Sequence, residues 1–157
     1  MEGVLAASLF YYEYIMTLEE LENLADIDLK INDTELDIES LKIPQLHNKY
    51  SKFHNQFINL LKKSEQTRDI LIREKWEYYT GKADESVYRE KPFDLKVLKS
   101  DVHIYINSDD EMQRADQKVA YLNTVAKYLE QILRGLNNRT FLIKNMIEWK
   151  KFTSGAI

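Results

Sequence analysis

The run LHNKYSKFHNQFINLLKKSEQTRDILIREKWEYYTGK, residues 46–82, carries a regular apolar pattern. Apolar residues recur in steps of four and three, which is the heptad spacing of a helix that packs against another helix. Serine and threonine at positions 64 and 67 weaken this seam. We therefore predict one long helix that needs a partner helix, from the same chain or from another copy. The seam residues are Leu46, Tyr50, Phe53, Phe57, Leu60, Ser64, Thr67 and Leu71.

The composition favours helices and excludes several kinds of site. Only 4 Gly and 2 Pro occur among 157 residues, which favours long helices over a sandwich or barrel. Because there is no Cys, disulfides, thiolate metal ligands and a cysteine nucleophile are excluded. Residues 1–15 are apolar, but they are shorter than a membrane span and are interrupted by Glu13. We expect an all-α protein with no membrane segment.

The net charge of -4 conceals an uneven distribution. Residues 1–46 carry 11 acidic and 2 basic side chains, whereas residues 47–82 carry 8 basic and 4 acidic ones. The field near a surface is local at physiological salt, so one basic segment of an acidic protein can bind phosphate. This segment also contains Trp76, Tyr78 and Tyr79, and aromatic faces stack on unpaired bases. The combination indicates an interface for single-stranded nucleic acid.

Helical spacing predicts how the cations and aromatics of this segment are arranged. Arg68, Lys75 and Tyr79 align on one stripe, which Lys82 joins if the last turn is helical, and Arg73 and Trp76 lie on an adjoining face. A strand running along such a helix would place phosphates on the cations and a base on an aromatic ring. The competing interpretation is an ordinary helix end, with solvated charges and an acidic neighbour paired to Arg73. The predicted DNA-binding residues are Lys62, Lys63, Arg68, Arg73, Lys75, Trp76, Tyr79 and Lys82.

The elements on either side are less regular. The run MTLEELENL from Met16 predicts a short acidic helix, and weak alternation over residues 26–32 predicts a loop or short strand. Pro44 either kinks the long helix or begins it. Gly81 is the candidate C-cap of that helix. Residues 83–108 predict an irregular or extended arm, with a short β-strand or hairpin that includes the alternating Val102, Ile104 and Ile106.

The C-terminal third predicts an antiparallel helical hairpin. Ser108 and Glu111 form a capping-box pattern ahead of a clean heptad seam. Gly135–Asn138 predict a turn, and a last helix over residues 139–152 is apolar on more than one face. A lone hairpin cannot bury that much apolar surface, so we expect it to associate with copies of itself. The predicted oligomerisation residues are Val119, Leu122, Leu129, Leu133, Leu136, Phe141, Ile147 and Trp149.

Patterns that carry catalysis are missing from the sequence. His47 and His54 lie two helical turns apart, which is too far for ligands of one metal ion. Thr80, Gly81 and Lys82 resemble the end of a phosphate-binding loop, but the earlier glycine and the following Ser or Thr are absent. We therefore predict a protein that is not an enzyme, with no catalytic residue, no metal and no cofactor.

The run KWEYYTGK, residues 75–82, resembles the K/R-x-D/E-Y-Y-S/T-G-K/R signature of the UvsY family of phage recombination mediators. Two later runs, KVLKSD at residues 96–101 and RTFLIKNMIEWKKFTSG at residues 139–155, resemble the family in order and spacing. The similarity extends from about Met16 to Gly155. Residues 1–15 have no family counterpart, so either Met16 is the true start or the extension is particular to this protein.

The resemblance implies a protein that binds single-stranded DNA as a ring-like homo-oligomer of six or seven subunits. It implies partners as well: a phage single-strand binding protein, whose hold on DNA is weakened, and a phage recombinase, which is loaded. It implies no ATP hydrolysis, and a location in the cytoplasm of the infected bacterial host. It assigns DNA binding to Arg73 and Lys75, and assembly to residues 109–152.

We therefore predict four regions: an N-terminal extension, residues 1–15; a helical DNA-binding region, 16–82; a loop or extended arm, 83–108; and a helical oligomerisation region, 109–157. The alternative, from another class, is a helical scaffold that binds only protein through its two seams. A small metal-dependent nuclease is a third interpretation. The salt dependence of DNA binding separates the first two, and a cleavage assay with divalent metal tests the third.

Overall fold

The computed structural model describes residues 15–155, and the predicted all-α class is confirmed within this range. Its five helices are α1 (Leu18–Asp28), α2 (Leu36–Tyr79), α3 (Glu85–Glu90), α4 (Val102–Ser108) and α5 (Asp110–Thr153). The chain forms two compact units. The first contains the described residues up to Asn48 and those from Gly135 onward, and the second is Lys49–Arg134. The predicted N-terminal extension, residues 1–15, lies outside the described residues except for Ile15.

The acidic helix predicted from Met16 is confirmed as α1. Thr17 caps it, because its hydroxyl accepts a hydrogen bond from the Glu20 backbone N–H at 3.2 Å and its own N–H donates to the Glu20 carboxylate. Leu21 and Ala25, four residues apart, are buried. The strand or loop predicted over residues 26–32 is wrong for Asp26–Asp28, which are helical, because the core contacts of Leu21 and Ala25 extend the helical register past the weak alternation.

Pro44 neither breaks nor begins α2, since the helix runs through it. The side chain lies at an exposed position, where water can replace the lost backbone hydrogen bond. The alternative that this proline begins a helix is therefore wrong. The burial of Leu36 before it and Tyr50 after it, both in the same heptad position, favours one continuous helix.

The predicted C-terminal hairpin is also wrong, because α5 is continuous from Asp110 to Thr153. Gly135, which the sequence places in a turn, has no positive φ and lies inside the helix. A glycine costs a helix only about 1 kcal/mol relative to alanine, whereas burying one large aliphatic side chain contributes about 1.5–3 kcal/mol. Continuity keeps the buried residues in one heptad register: Leu122, Leu129, Leu136 and Ile143.

In the second unit, α2 has its partner helix within the same chain. The two helices run antiparallel, because Arg68 meets Asp116 and Lys75 meets Asp109. Buried residues of α2 recur every seven positions, at Tyr50, Phe57 and Ser64, so the predicted seam is confirmed over this stretch. Thr67 is exposed and does not belong to it.

The predicted β-strand or hairpin within residues 83–108 is wrong, since α3 and α4 form there and no strand is present among the described residues. Val102 and Ile106 are one helical turn apart and buried, whereas Ile104 is 57% exposed. Met112 joins them in one core cluster. Three alternating apolar residues fit a strand or a helix equally, and the i, i+4 burial of the outer two decides for the helix.

The cap of α5 lies one residue later than predicted. The Asp109 carboxylate accepts hydrogen bonds from the backbone N–H groups of Glu111 at 2.9 Å and Met112 at 3.3 Å. Ser108 instead ends α4, and its hydroxyl donates to the carbonyl of Ile104. The predicted capping box from Ser108 to Glu111 is therefore wrong. Asp109 is the better cap because its charge also suits the helix N-terminus.

Candidate nucleic-acid interface

The signature run ends α2 in a Schellman motif. Gly81 has φ 77°, its N–H donates to the Tyr78 carbonyl, and the Lys82 N–H donates to the Glu77 carbonyl at 2.8 Å. The predicted glycine C-cap is thereby confirmed. The turn brings Lys82 back along the helix, so that its Nζ lies 4.4 Å from the ring centroid of Trp76. This cation–π contact holds a cation and a 40% exposed indole together at the end of the helix.

The two tyrosines of the signature anchor the following segment. Tyr78 stacks on Tyr88 with ring centroids 5.5 Å apart, and the Tyr88 hydroxyl donates to the Tyr78 carbonyl at 2.8 Å. The Tyr79 ring contacts Phe93 at 5.1 Å and Tyr105 at 5.6 Å. Tyr88 and Phe93 thus anchor the segment that follows α2. The Tyr79 ring is therefore partly buried among aromatic neighbours, unlike the exposed indole of Trp76.

Lys75 lies at the centre of an ion-pair cluster. Its Nζ is 2.9 Å from Asp109 Oδ2 and 2.8 Å from Glu111 Oε2, and only 12% of its side chain is exposed. Tyr79 donates its hydroxyl proton to the same Asp109 oxygen at 2.8 Å. Lys91 Nζ pairs with Glu111 Oε1 at 2.8 Å. The cluster joins the end of α2, the segment after α3 and the N-terminus of α5.

The pKa values in this cluster favour the ion pairs. Burial alone would raise the pKa of Asp109, but hydrogen bonds from Lys75 and Tyr79 bring it below its ordinary value. Hydrogen bonds from Lys75 and Lys91 lower the pKa of Glu111. Burial alone would lower the pKa of Lys75, and the two carboxylates more than reverse that effect. Burial, followed by its bond to Asp109, raises the pKa of Tyr79. The carboxylates and Lys75 are therefore all charged at neutral pH.

The groove beside Lys75 is unsuited to phosphate. Its volume is about 640 Å³, and carboxylates outnumber cations along it. A phosphate that entered this groove would meet an excess of negative charge and would have to break the ion pairs of Lys75. The ionisable residues that line it are Glu74, Lys75, Glu77, Asp84, Lys91, Asp109, Asp110, Glu111 and Arg114.

The opposite side of α2 presents unpaired cations to solvent. Lys62, Lys63 and Arg73 are exposed and have no ion pair within residues 15–155; in particular, no Asp69–Arg73 pair forms. Positions 62, 73 and 76 fall within about 60° of one another on a helix, so Lys62, Arg73 and Trp76 share one side, and Lys63 borders it about 80° beyond Arg73. We call this set the cationic face: Lys62, Lys63, Arg73, Trp76 and Lys82.

The structure therefore divides the eight predicted DNA-binding residues. Five form the cationic face. Lys75 and Tyr79 lie in the ion-pair and aromatic contacts described above, and Arg68 Nε lies 2.6 Å from Asp116 Oδ1. The sequence contained a signal for this division, because Lys75 comes four residues after the seam residue Leu71. The acidic partners of these cations come from distant parts of the chain, and helix spacing alone did not identify them.

The predicted oligomerisation residues differ in how far they are buried within the chain. Leu122, Leu129 and Leu136 are buried within the chain itself. Val119 and Leu133 are half-buried, and Phe141, Ile147 and Trp149 are exposed. Two further exposed residues, Leu142 and Phe152, were missed, although their spacing from Phe141 and Trp149 is helical. The side chains that share one solvent-facing stripe of α5, here called the apolar stripe, are Phe141 (68% exposed), Leu142 (54%), Trp149 (64%) and Phe152 (77%).

No helix within residues 15–155 is long and apolar enough to cross a membrane. The same range contains no group of three His, Asp or Glu side chains arranged to hold a metal ion. An all-helical chain with a cationic, tryptophan-bearing helix face has the features of a protein that binds the backbone of nucleic acid.

The chain belongs to the UvsY family. The sequence model of that family, described as recombination, repair and ssDNA binding protein UvsY, matches residues 24–156. The resemblance seen in the sequence is thereby confirmed. No curated protein sequence matches the chain at a significant level.

The fold is similar to crystal structures of the bacteriophage T4 recombination mediator protein UvsY. The lattice type II structure has a TM-score of 0.78 and 21% identity, over 88% of this chain and 98% of that chain. The lattice type IV structure has a TM-score of 0.75 and 18% identity, over 88% and 99%. The lattice type I structure has a TM-score of 0.76 and 19% identity, over 85% of this chain and 98% of that chain. At these identities the likeness establishes the fold.

Proposed function

We propose that this protein is a recombination mediator that binds single-stranded DNA on the cationic face of α2. The observation that carries the proposal is the row of exposed, unpaired cations beside a half-exposed tryptophan on one side of a helix. Phosphates would contact Lys62, Lys63 and Arg73, and one base would stack on Trp76. Membership in a family described by recombination, repair and ssDNA binding supports the same function.

The mediator would act on two partners. It would weaken the hold of a phage single-strand binding protein on DNA and help a phage recombinase to assemble there, in the cytoplasm of an infected bacterium. The protein would do so by binding and positioning the strand, without hydrolysing ATP. This part of the proposal follows from the family and from the T4 proteins of similar fold, which are named recombination mediators.

The protein would act as a ring-like homo-oligomer of six or seven subunits. The apolar stripe supports association, because it exposes four large apolar side chains on one helix, two of which, Trp149 and Phe152, lie with ring centroids 5.9 Å apart. Several weak cationic faces in one assembly would bind one strand far more tightly than a single face does.

Substitutions on the cationic face are expected to weaken DNA binding in two distinguishable ways. Arg73→Ala removes a phosphate contact, so the slope of log affinity against log salt should become shallower by about 0.7 for each protomer that contacts the strand. Trp76→Ala removes a stacking surface, so it should cost about 1–3 kcal/mol with little change in slope. Fluorescence anisotropy of a labelled oligothymidylate across a salt series measures both quantities.

Lys127→Ala is the matched control, because Lys127 is exposed on α5 in the same unit but does not lie on α2. Its affinity and salt slope should equal those of the wild type. If an intact oligomer fails to bind DNA even at low salt, the proposed function is wrong and the scaffold alternative remains. If Arg73→Ala binds as the wild type does, the cationic face is misplaced.

A carboxylate in the apolar stripe is expected to reduce the oligomer. Trp149→Glu places a charge where an apolar contact between subunits is proposed, so sedimentation should detect smaller species at the same concentration. Thr140→Glu is the control, because it adds the same charge at an exposed position of α5 outside the stripe. Equal sedimentation of both variants and the wild type would show that the stripe does not mediate assembly.

A further inference from the structure

The solvent side of α2 continues upstream of the cationic face as a row of polar side chains. Lys52, Asn55 and Asn59 are exposed, and the steps from one to the next and on to Lys62 are three, four and three residues. At about 100° per residue, positions 52, 55, 59, 62, 66 and 73 all fall within about 80° of one another. The upstream row, Lys52, Asn55 and Asn59, is therefore in line with the cationic face.

Carboxylates are sparse along the upstream row. The run from Lys52 to Arg73 contains two acidic residues, Glu65 and Asp69, which project about 60° and about 20° outside the edge of the sector at Lys62. An anion moving along the upstream row would meet cations and neutral amides until it reached the cationic face, where Asp69 lies between Lys62 and Trp76. This is the opposite of the groove beside Lys75, where carboxylates are in the majority.

The side chains of the upstream row are available to a ligand. Within the described part of the chain, none of the three has a side-chain hydrogen bond or an ion pair. Amide groups donate hydrogen bonds to phosphate and sugar oxygens, and such contacts carry no sequence information. Asparagine amides beside lysines thus suit the backbone of a nucleic acid of any sequence.

We propose that the upstream row extends the single-stranded DNA site by binding the sugar–phosphate backbone. Lys52 contacts a phosphate, and Asn55 and Asn59 donate their amide protons to backbone oxygens. The distance from position 52 to position 73 along a helix is about 32 Å, so the extended site of one protomer contacts several consecutive nucleotides of a strand. Base stacking is confined to the Trp76 end. This inference rests on the proposed function, since it lengthens the same site.

The test uses two pairs of matched substitutions in the full-length protein. Lys52→Ala is compared with Lys127→Ala, which removes the same charge from α5. Asn59→Asp is compared with Asn123→Asp, an isosteric change at another exposed asparagine on α5. All four positions are at the surface, so circular dichroism and thermal unfolding should match the wild type. Binding of a labelled oligothymidylate is then measured across a salt series.

Within each pair, the α2 variant is expected to bind DNA differently from its α5 control. Lys52→Ala should make the salt slope shallower by about 0.7 for each protomer on the strand, and Asn59→Asp should weaken binding several-fold, most strongly at low salt. The two α5 variants should behave as the wild type does. If Arg73→Ala weakens binding while Lys52→Ala and Asn59→Asp match their controls, the extension is overturned and the proposed function stands. If the wild type itself does not bind, both are overturned.

Discussion

Replacing Arg139 with alanine is expected to lower the free energy of unfolding by about 3–5 kcal/mol. The Arg139 guanidinium is buried in the first unit, where one nitrogen pairs with Glu39 Oε2 at 2.8 Å. The Glu39 side chain is only 2% exposed, and without Arg139 its buried carboxylate keeps only the ion pair of Oε1 with Lys42 at 2.8 Å, while Oε2 loses its donor. The loss should appear as a lower denaturant midpoint, measured by circular dichroism at a fixed protein concentration.

The guanidinium does more than neutralise one carboxylate. It also donates to the backbone carbonyls of Leu29 at 2.9 Å and Lys30 at 3.0 Å, at the C-terminal end of α1. These carbonyls have no helical donor, because they follow the last turn of the helix. Arg139 therefore satisfies the end of α1 and pairs with α2, and a lysine cannot reproduce this planar set of donors.

The matched variant is Arg139→Lys, which keeps the positive charge. It is expected to lose about 1.5–3 kcal/mol, because the charge remains while some of the hydrogen bonds are lost. A double variant, Glu39→Leu with Arg139→Leu, tests how much stability comes from the hydrogen bonds of Arg139 to the Leu29 and Lys30 carbonyls. A buried ion pair alone can be replaced by apolar residues at little cost, but here the Leu29 and Lys30 carbonyls would stay unsatisfied. If the double variant is as stable as the wild type, the proposed role at the end of α1 is wrong.

The positions of Glu39 and Arg139 show where the sequence was informative and where it was not. Val125, Ile132 and Arg139 are spaced by seven, so the heptad pattern predicts that position 139 faces the core. The pattern does not predict that a guanidinium can be buried there, because its three acceptors come from residues about 100 positions away. Local periodicity finds a buried face, but the partners on that face depend on tertiary structure.

The error at Gly135 has a related cause. Glycine and asparagine between two apolar runs are typical of a turn, and this local signal predicted a helical hairpin. The register of Leu136 and Ile143 with the earlier seam residues carried the opposite information, and burial is energetically larger than helix propensity. By contrast, Gly81 was predicted correctly as a C-cap, because its left-handed backbone is a local requirement that glycine alone meets without strain.

Replacing Lys75 with methionine is expected to lower stability and to leave the DNA contacts largely in place. Methionine keeps much of the aliphatic contact area, so the loss reports on the two ion pairs with Asp109 and Glu111. Each is a hydrogen bond between charged groups on a side chain that is 12% exposed, and we expect a loss of about 2–3 kcal/mol. Under conditions where the variant is fully folded, its slope of log affinity for DNA against log salt should match that of the wild type.

Lys63→Met is the matched control and should give the reverse result. Lys63 lies on the same helix, is exposed, and has no ion pair within the range that the structure describes. Its removal should leave the denaturant midpoint unchanged and make the salt slope of DNA binding shallower by about 0.7 for each protomer on the strand. A shallower slope for Lys75→Met with an unchanged midpoint would mean that Lys75 contacts phosphate, as the family resemblance implies.

The pH dependence of the Lys75 effect distinguishes lost ion pairs from a general packing defect. Asp109 and Glu111 have lowered pKa values in the folded protein, so their stabilising contribution is present above their unfolded pKa values near 4. It is lost as the pH falls through the lower folded values. Removing Lys75 raises those folded pKa values, because burial of Asp109 is then opposed by fewer hydrogen bonds. The stability difference between wild type and Lys75→Met should therefore be largest at neutral pH and shrink below about pH 4. A difference that stays constant from pH 7 to pH 3 would contradict this role, because a packing defect does not titrate with the two carboxylates.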